Sequence, residues 1–422
     1  MTDILDDLRW RGLIAQSTDI DALRAALAEG PVTYYCGFDP TAPSLHHGHL
    51  VQLVLMRHLQ LAGHRPLALV GGATGMIGDP RMSGERVLND KETVAGWTER
   101  LRGQIERILD FAGENAARMV NNLDWTGDLT AIDFLRDIGK HFRLGTMLAK
   151  DTVARRLQSE EGISFTEFSY QILQGMDFLE LHRRHGCTLQ TGGNDQWGNL
   201  LSGVDLIRKA EGRAVHVMTT PLITKADGTK FGKSEGGAIW LAPDMLSPYA
   251  FYQFWLNTDD ADVVRFLKIF TFRSREQIEA LGRAVDEAPQ AREAQRTLAE
   301  DVTSLVHGPE ATERVRRASQ ALFGRDDLRE LDGATLRDAV AELPRGEAEV
   351  GRSTTVDLLL ATGLERGRNA ARRTIASGGA YLNNEKVTDE DRVLTEGDLL
   401  SGGYALLRKG RKTLAVVATS SG

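Results

Sequence analysis

The stretch from residue 32 to residue 72 constrains the fold more than any other part of the chain. Val32-Thr33-Tyr34-Tyr35-Cys36-Gly37-Phe38 is dense in β-branched and aromatic residues, and Asp39-Pro40-Thr41-Ala42-Pro43 then breaks the run. Ser44 can cap a helix from about His47 to Ala62, which Gly63 can stop, and Pro66 to Gly72 reads as a short buried strand. A strand, a helix and a second strand in such close succession predict a right-handed crossover between parallel strands, the opening of a Rossmann-like doubly wound α/β sheet. Ligands of such sheets lie beyond the carboxyl ends of the strands. His46-His47-Gly48-His49 and Gly71-Gly72-Ala73-Thr74-Gly75 should therefore face one crevice.

A chain of 422 residues exceeds what one core usually holds, so two or three domains are expected. No run approaches the roughly 20 apolar residues of a membrane span, and the N-terminus opens acidic where a secretory signal would open basic. A cytoplasmic protein is the natural expectation. Cys36 and Cys187 cannot make a disulfide framework or a multi-thiolate zinc site and should be buried thiols. The charge is uneven. From Ser353 onward 10 Lys and Arg face 8 Asp and Glu, a net of +2, and the remainder carries 41 against 51, a net of −10. An acidic body argues against indiscriminate nucleic-acid binding and leaves the C-terminal segment as the place for a local basic patch.

Two segments carry the chemistry. A histidine near a helix N-terminus can donate to phosphate oxygens, where backbone N–H groups and the helix dipole also favour anions, and Gly48 lets a base or ribose approach the backbone. Taken alone, His46 and His49 could equally pack at a helix start, and neither an H-E-x-x-H pattern nor a cysteine pair supports zinc. The second segment, Lys230-Phe231-Gly232-Lys233-Ser234, lies in a stretch rich in glycine and lysine suited to meeting a polyphosphate, or to plain solvation. It is not a Walker loop, because position 233 is Lys where the pattern after Gly228 needs glycine.

Farther along, Tyr170, Gln174 and Asp177 fall at i, i+4, i+7 on a helix expected from about Thr166 to Leu181. Spacing alone would fit the wet side of an amphipathic helix, with Phe168, Ile172, Leu173, Met176 and Leu179 packing it. Gly193, Asp195 and Gln196 follow a strand-like Thr188-Leu189-Gln190. Asp195 could accept from ribose hydroxyls or cap the next helix, and Asp39 could touch a ligand or only fix the Asp39-Pro40 turn. Ser247-Pro248 opens a long helical stretch, and Leu343 to Gly351 has the composition of a linker. Beyond it come two short helices and a hairpin turning at Asn383-Asn384. Arg366, Arg368, Arg372 and Arg373 recur at helical spacing, with Lys409, Arg411 and Lys412 as a second basic cluster, so the region could be an RNA face or an exposed arginine helix.

In order, Tyr35 to Thr41, His46 to His49, Gly71 to Pro80, Phe165 to Gln174, Gly192 to Asn199 and Lys230 to Ser234 resemble the motifs of the bacterial tyrosyl-tRNA synthetases, class I aminoacyl-tRNA synthetases. His46 to His49 is similar to the HIGH element and Lys230 to Ser234 to the KMSKS loop. The resemblance implies that tyrosine and ATP form tyrosyl-adenylate and that tyrosine then passes to the 3′-terminal adenosine of tRNA(Tyr), with Mg2+ accompanying ATP and no tightly bound cofactor or resident metal. It also implies site roles. Thr41, His46 and His49 would meet the ATP phosphates, with Gly48 against the adenosine. Asp39 and Gly193 would adjoin ATP and Asp195 would take the ribose, while Lys230, Lys233 and Ser234 grip pyrophosphate. Tyr35 and Asp177 would bind the phenol, Asp79, Tyr170 and Gln174 the ammonium group, and Gln196 would lie near the carboxylate.

The implied organisation is a catalytic domain over 1–246, an α-helical anticodon-side domain over 247–342, a linker over 343–352 and a small α+β S4-like RNA-binding domain over 353–420. A homodimer is implied by the family. Two features depart from its usual pattern. His47 stands where an apolar residue is more usual and should point away from ATP, and the Asp79 to Arg86 loop is less lysine-rich, which leaves open a part for Arg81 or Arg86. Two rival readings stand beside it: a related synthetase for another amino acid, notably tryptophan, which should lack the Tyr35 and Asp177 pair, and a non-enzymatic RNA-binding protein that keeps the synthetase frame, which should have lost the His46, His49 or Lys233 chemistry present here.

Overall fold

The computed structural model describes residues 3–80, 88–228, 231, 238–323, 327–341, 343–410 and 413–419. It divides into two compact units, residues 1–245 with 258–298, and residues 246–257 with 299–422. The helical stretch expected over 247–342 is thus shared between them.

The first unit is built on a six-stranded sheet of β1 (Gln16–Ser17), β2 (Thr33–Phe38), β3 (Arg65–Val70), β4 (Arg118–Asn121), β5 (Cys187–Gly193) and β6 (His216–Thr220), in the order β1-β6-β5-β2-β3-β4. All neighbours are parallel except β1, which runs antiparallel to β6. The chain steps outward from β2 through β3 to β4, then returns to the other side of β2 for β5 and β6. The switch point therefore lies between β2 and β5, where a crevice must open beyond their carboxyl ends. The sequence pattern at β2 and β3 led to this arrangement. Tyr34, Tyr35, Cys36 and Phe38 are buried, as are Pro66 to Val70.

Asp19 caps the Ile20–Glu29 helix by accepting from Ala22 N. One cap assignment differs from expectation. The His47–Leu61 helix is capped by His46, while the hydroxyl of Ser44 accepts from Ala242 N. A longer helix, Phe165–His185, starts at Ser164, whose hydroxyl accepts from Glu167 N, and stops at Gly186 in the left-handed region (φ 62°). It packs into a core with Tyr35, Leu67, Trp125, Cys187 and Val217 through Met176, Phe178, Leu179 and Leu181. Both cysteines are buried free thiols. Among the described residues no helix is long and apolar enough to cross a membrane.

In the second unit, β7 (Arg345–Ala348), β8 (Ala380–Leu382), β9 (Glu385–Lys386), β10 (Tyr404–Lys409) and β11 (Thr413–Thr419) form a sheet in the order β7-β11-β10-β8-β9. The stretch with linker composition is thus the edge strand β7, parallel to β11. Gly346 is needed there, since a Cβ would fall 2.7 Å from the Ala361 carbonyl carbon. The sheet is covered on both faces by the period-2 rule. Ala405, Leu407, Ala415 and Val417 pack with the Thr355–Ala361 and Arg368–Ala376 helices, and Leu406, Leu414 and Val416 with the Pro309–Leu322 and Gly333–Val340 helices. Asn383 (φ 48°) and Asn384 (φ 67°) form the β8–β9 turn, as their tolerance of that region predicts.

Candidate active site

The chain leaving β2 reaches the crevice through Asp39, whose carboxylate is held on both oxygens. Thr74 Oγ1 donates to Oδ1 at 2.6 Å and Tyr170 Oη to Oδ2 at 2.7 Å. Asn122, fully buried, donates from Nδ2 to Thr74 Oγ1 at 2.9 Å and to Asp177 Oδ2 at 3.0 Å, while its Oδ1 accepts from Ala73 N. Trp125 Nε1 donates to Asp177 Oδ1 at 2.9 Å. An unbroken polar chain therefore runs Tyr170–Asp39–Thr74–Asn122–Asp177–Trp125 beneath the loop that follows β3. Tyr170 and Asp177 are 7% and 2% exposed, so the polar stripe of their helix faces inward and is not a wet side.

Electrostatics in this pocket follow from burial. Desolvation raises the Asp177 carboxyl to about 7 against the pull of its Asn122 and Trp125 donors. Burial also raises the Tyr35 phenol, with the Asp177 charge adding to it, and burial together with Asp39 and Asp79 raises Tyr170. Tyr35 Oη and Gln174 Oε1 are buried with no hydrogen-bond partner among the described residues. Such groups are rare, because an unmet buried polar atom costs about 1–3 kcal/mol. Both belong to the set expected to bind one small molecule. Asp79 accepts from Gln196 Nε2 and Asn199 Nδ2, each at 3.0 Å, and Asn199 Nδ2 also reaches Gln196 Oε1.

Beside this pocket the rings of His46 and His49 stack with centroids 4.0 Å apart. His46 Nδ1 accepts from Gly48 N at 3.1 Å, and His49 Nδ1 from His46 N at 3.2 Å. The histidines thus use helix-terminal N–H groups that the sequence left for an anion. Burial lowers the pKa of both rings, so both are neutral near pH 7, and with Nδ1 accepting, each carries its proton on Nε2. Two N–H donors result. Gly48 makes room for this stack, since a Cβ there would lie 2.9 Å from His46 Cε1.

His47 turns elsewhere. Its ring meets Phe231 edge-on at 5.3 Å, Phe231 packs on Phe266 at 4.4 Å, and burial lowers the His47 imidazole to about 4. Phe231 is the described residue of the KMSKS-like segment; Lys230, Lys233 and Ser234 lie outside the described residues, as do Arg81 and Arg86. Thr41, three residues beyond the carboxyl end of β2, is exposed. After β5, Asp195 is exposed, and Gly193 leaves it room, since a Cβ would fall 2.5 Å from Asp195 Oδ1. The following helix, Trp197–Glu211, takes no side-chain cap, which removes the capping alternative for Asp195.

In the second unit Arg366, Arg368, Arg372 and Arg373 are all exposed. Arg368 pairs with Asp357 at 2.8 Å, Arg372 with Glu390 at 3.4 Å and Lys409 with Glu365 at 2.9 Å. Arg411 and Lys412 lie outside the described residues. The motif reading did not single out Asn122, Trp125, Asn199 or Lys150. Thr74 it placed only at the crevice edge. A run of adjacent asparagines ahead of a tryptophan, Asn121-Asn122-Leu123-Asp124-Trp125, was the available signal.

Comparison with known proteins brings these features together. Residues 27–324 match the tRNA synthetases class I (W and Y), and residues 335–417 match the Tyrosine--tRNA ligase SYY-like C-terminal domain. The chain is 64% identical over 418 residues to a Tyrosine--tRNA ligase of Streptomyces coelicolor, covering 99% of both chains. It is 59% identical over 422 residues to one of Acidothermus cellulolyticus, again covering 99% of both. Among solved structures, a C-terminally truncated mitochondrial tyrosyl-tRNA synthetase of Aspergillus nidulans matches with a TM-score of 0.70 at 30% identity, over 76% of this chain and 95% of that one.

Proposed function

The chain belongs to the class I tyrosine–tRNA ligases, and from that membership we propose how its own residues divide the work of joining L-tyrosine to tRNA(Tyr). The reaction uses ATP to make tyrosyl-adenylate and pyrophosphate, then transfers tyrosine to the 3′-terminal adenosine. The substrate carboxylate is ionised at neutral pH and attacks the α-phosphate itself, so the protein's task is positioning and charge stabilisation.

One observation carries the tyrosine pocket: the buried Tyr35 Oη, which has no hydrogen-bond partner among the described residues and lies within the electrostatic reach of Asp177. The substrate phenol gives that hydroxyl its missing partner and donates to Asp177. Gln174 Oε1, Asp79 and the Tyr170 oxygen accept from the ammonium group. Asp39 acts through Tyr170, which it fixes. The Nε2–H groups of His46 and His49 donate to ATP phosphates near Thr41, adenosine lies against Gly48 and Gly193, and the exposed Asp195 takes the ribose. ATP enters as its magnesium complex, and Lys230, Lys233 and Ser234 receive pyrophosphate, an assignment resting on their motif.

Arg366, Arg368, Arg372, Arg373, Lys409, Arg411 and Lys412 meet the tRNA backbone from an S4-like fold in the cytoplasm. A second copy of the chain covers the region of Ile132, Leu135, Leu144, Leu148, Leu157 and Phe165, large apolar side chains that a lone chain leaves between 40% and 73% exposed. ATP–pyrophosphate exchange with tyrosine, tryptophan and phenylalanine tests the pocket. Tyrosine alone should support exchange at micromolar concentrations; comparable exchange with tryptophan would reject the phenol site.

A further inference from the structure

Lys150 has no part in the roles above, yet it stands at the ammonium end of the pocket. Its Nζ donates to Asn199 Oδ1 at 2.7 Å, and the amide of the same Asn199 donates to Asp79 Oδ1 at 3.0 Å. The lysine stem crosses Gly198, where a Cβ would sit 3.2 Å from Lys150 Cε. A half-buried ammonium one side chain away from Asp79 is a deliberate placement in physical terms, since withdrawing a cation from water is costly unless a charge answers it. Burial pulls its pKa down to about 8 and Asp79 pulls it back up.

The chemistry of the ligand supplies the second charge. An α-amino acid is a zwitterion whose carboxylate is bonded to the carbon that carries the ammonium group. A site that fixes the ammonium on Asp79 therefore brings the carboxylate close to the same spot. Gln196, the residue expected there, spends its carbonyl on Asn199 and one amide hydrogen on Asp79. It offers a carboxylate one hydrogen and no charge. We propose that Lys150 receives the α-carboxylate of the substrate, so that Asp79 and Lys150 together read the two charges of the zwitterion and aim the attacking oxygen. This rests on the assignment of Asp79 to the ammonium group. The alternative is that Lys150 only braces Asn199.

Equilibrium binding to the full-length protein without ATP separates the two, with L-tyrosine compared to L-tyrosinol, which keeps the phenol and ammonium groups and replaces the carboxylate with CH2OH. Lys150→Met should weaken L-tyrosine about tenfold, the scale of one charge-assisted hydrogen bond. L-tyrosinol should bind within twofold of wild type or more tightly, because the variant also removes a cation that repels its ammonium group. Lys150→Gln, which can still bond Asn199, should show the same selective loss and serves if the Met variant does not fold, and Lys150→Arg should recover most of the L-tyrosine affinity. Equal weakening of both ligands, or of neither, overturns the proposal in favour of a brace. Asp79→Asn is read separately. If it leaves L-tyrosinol affinity intact, the ammonium assignment itself fails whatever Lys150 does.

Discussion

Asp177 in the first unit and Arg368 in the second are ionisable groups that each sit beside a partner, and the two partnerships obey different rules. Asp177 is 2% exposed, takes one donor on each oxygen, and sits in a polar chain that reaches Tyr170 through Asn122, Thr74 and Asp39. Arg368 is 63% exposed and its partner Asp357 34%. Water can replace either member of the second pair at little cost, so such bridges contribute about 0–1 kcal/mol. Nothing replaces a lost donor or acceptor at Asp177. The unmet buried atoms of Tyr35 and Gln174 are therefore the ground for the ligand contacts proposed there, whereas a bare arginine on the surface signals nothing until something binds it.

The largest expected effect sharpens this contrast. Asp177→Ala strands Trp125 Nε1 and one of the two hydrogens of Asn122 Nδ2, the other staying on Thr74. It should cost about 2–5 kcal/mol in denaturant unfolding and reduce the preference for tyrosine over phenylalanine in pyrophosphate exchange by roughly a hundredfold. Tyr35→Phe should separate these two readouts. Its hydroxyl has no hydrogen-bond partner among the described residues, so removing it should leave stability within about 1 kcal/mol of wild type or raise it, while the tyrosine preference drops roughly tenfold. Unchanged selectivity in both variants, with ATP KM altered instead, would break the assignment of the phenol site.

Protonation gives a third handle. Burial raises the Asp177 carboxyl from 3.8 to about 7, so between those values the folded chain holds a proton that the unfolded chain has released. Stability must then fall as pH rises through that window. Asp177→Asn has no proton to lose. Whatever its constant offset, its stability relative to wild type should improve from about pH 4 to about pH 8 by as much as about 4 kcal/mol, at ~1.36 kcal/mol for each pH unit of that window. Parallel stability curves would mean that the buried charge carries no penalty.

The same contrast explains what the sequence disclosed. The β2–helix–β3 unit was legible because strand composition, a proline break and a helix of the right length admit one simple arrangement, and the crevice followed from topology. The family resemblance singled out Tyr35, Tyr170, Gln174 and Asp177 as candidates, and the structure adds that Tyr170 and Asp177 face inward, which spacing alone left open. Asn122 and Trp125 were not, because their importance lies in contacts about 55 residues distant in sequence, which no local pattern encodes. The His46 cap was hidden for a related reason. Ser44 is the better capping residue by type, but its hydroxyl accepts from Ala242 N, which local propensity does not register. The strand β7 was hidden by its own composition, polar on its exposed side and small on its buried one.

The smallest effect on the folded chain is expected at the arginine helix, where the function read out should nevertheless change. Cutting the chain after Val350 would not test this cleanly, because Leu400, Leu406, Leu414 and Val416 complete a core with Ala318, Leu336 and Val340. Point changes avoid that. Arg372→Ala with Arg373→Ala removes two exposed cations, one of them paired with Glu390 across 3.4 Å, and should shift unfolding by no more than about 1 kcal/mol. Pyrophosphate exchange should be unaffected, while the KM for tRNA(Tyr) rises several-fold and its dependence on salt becomes shallower, as expected when phosphate contacts are lost. An unchanged salt slope would leave these arginines as solvated surface, and the contrast with Asp177 would then be one between a binding site and no site at all.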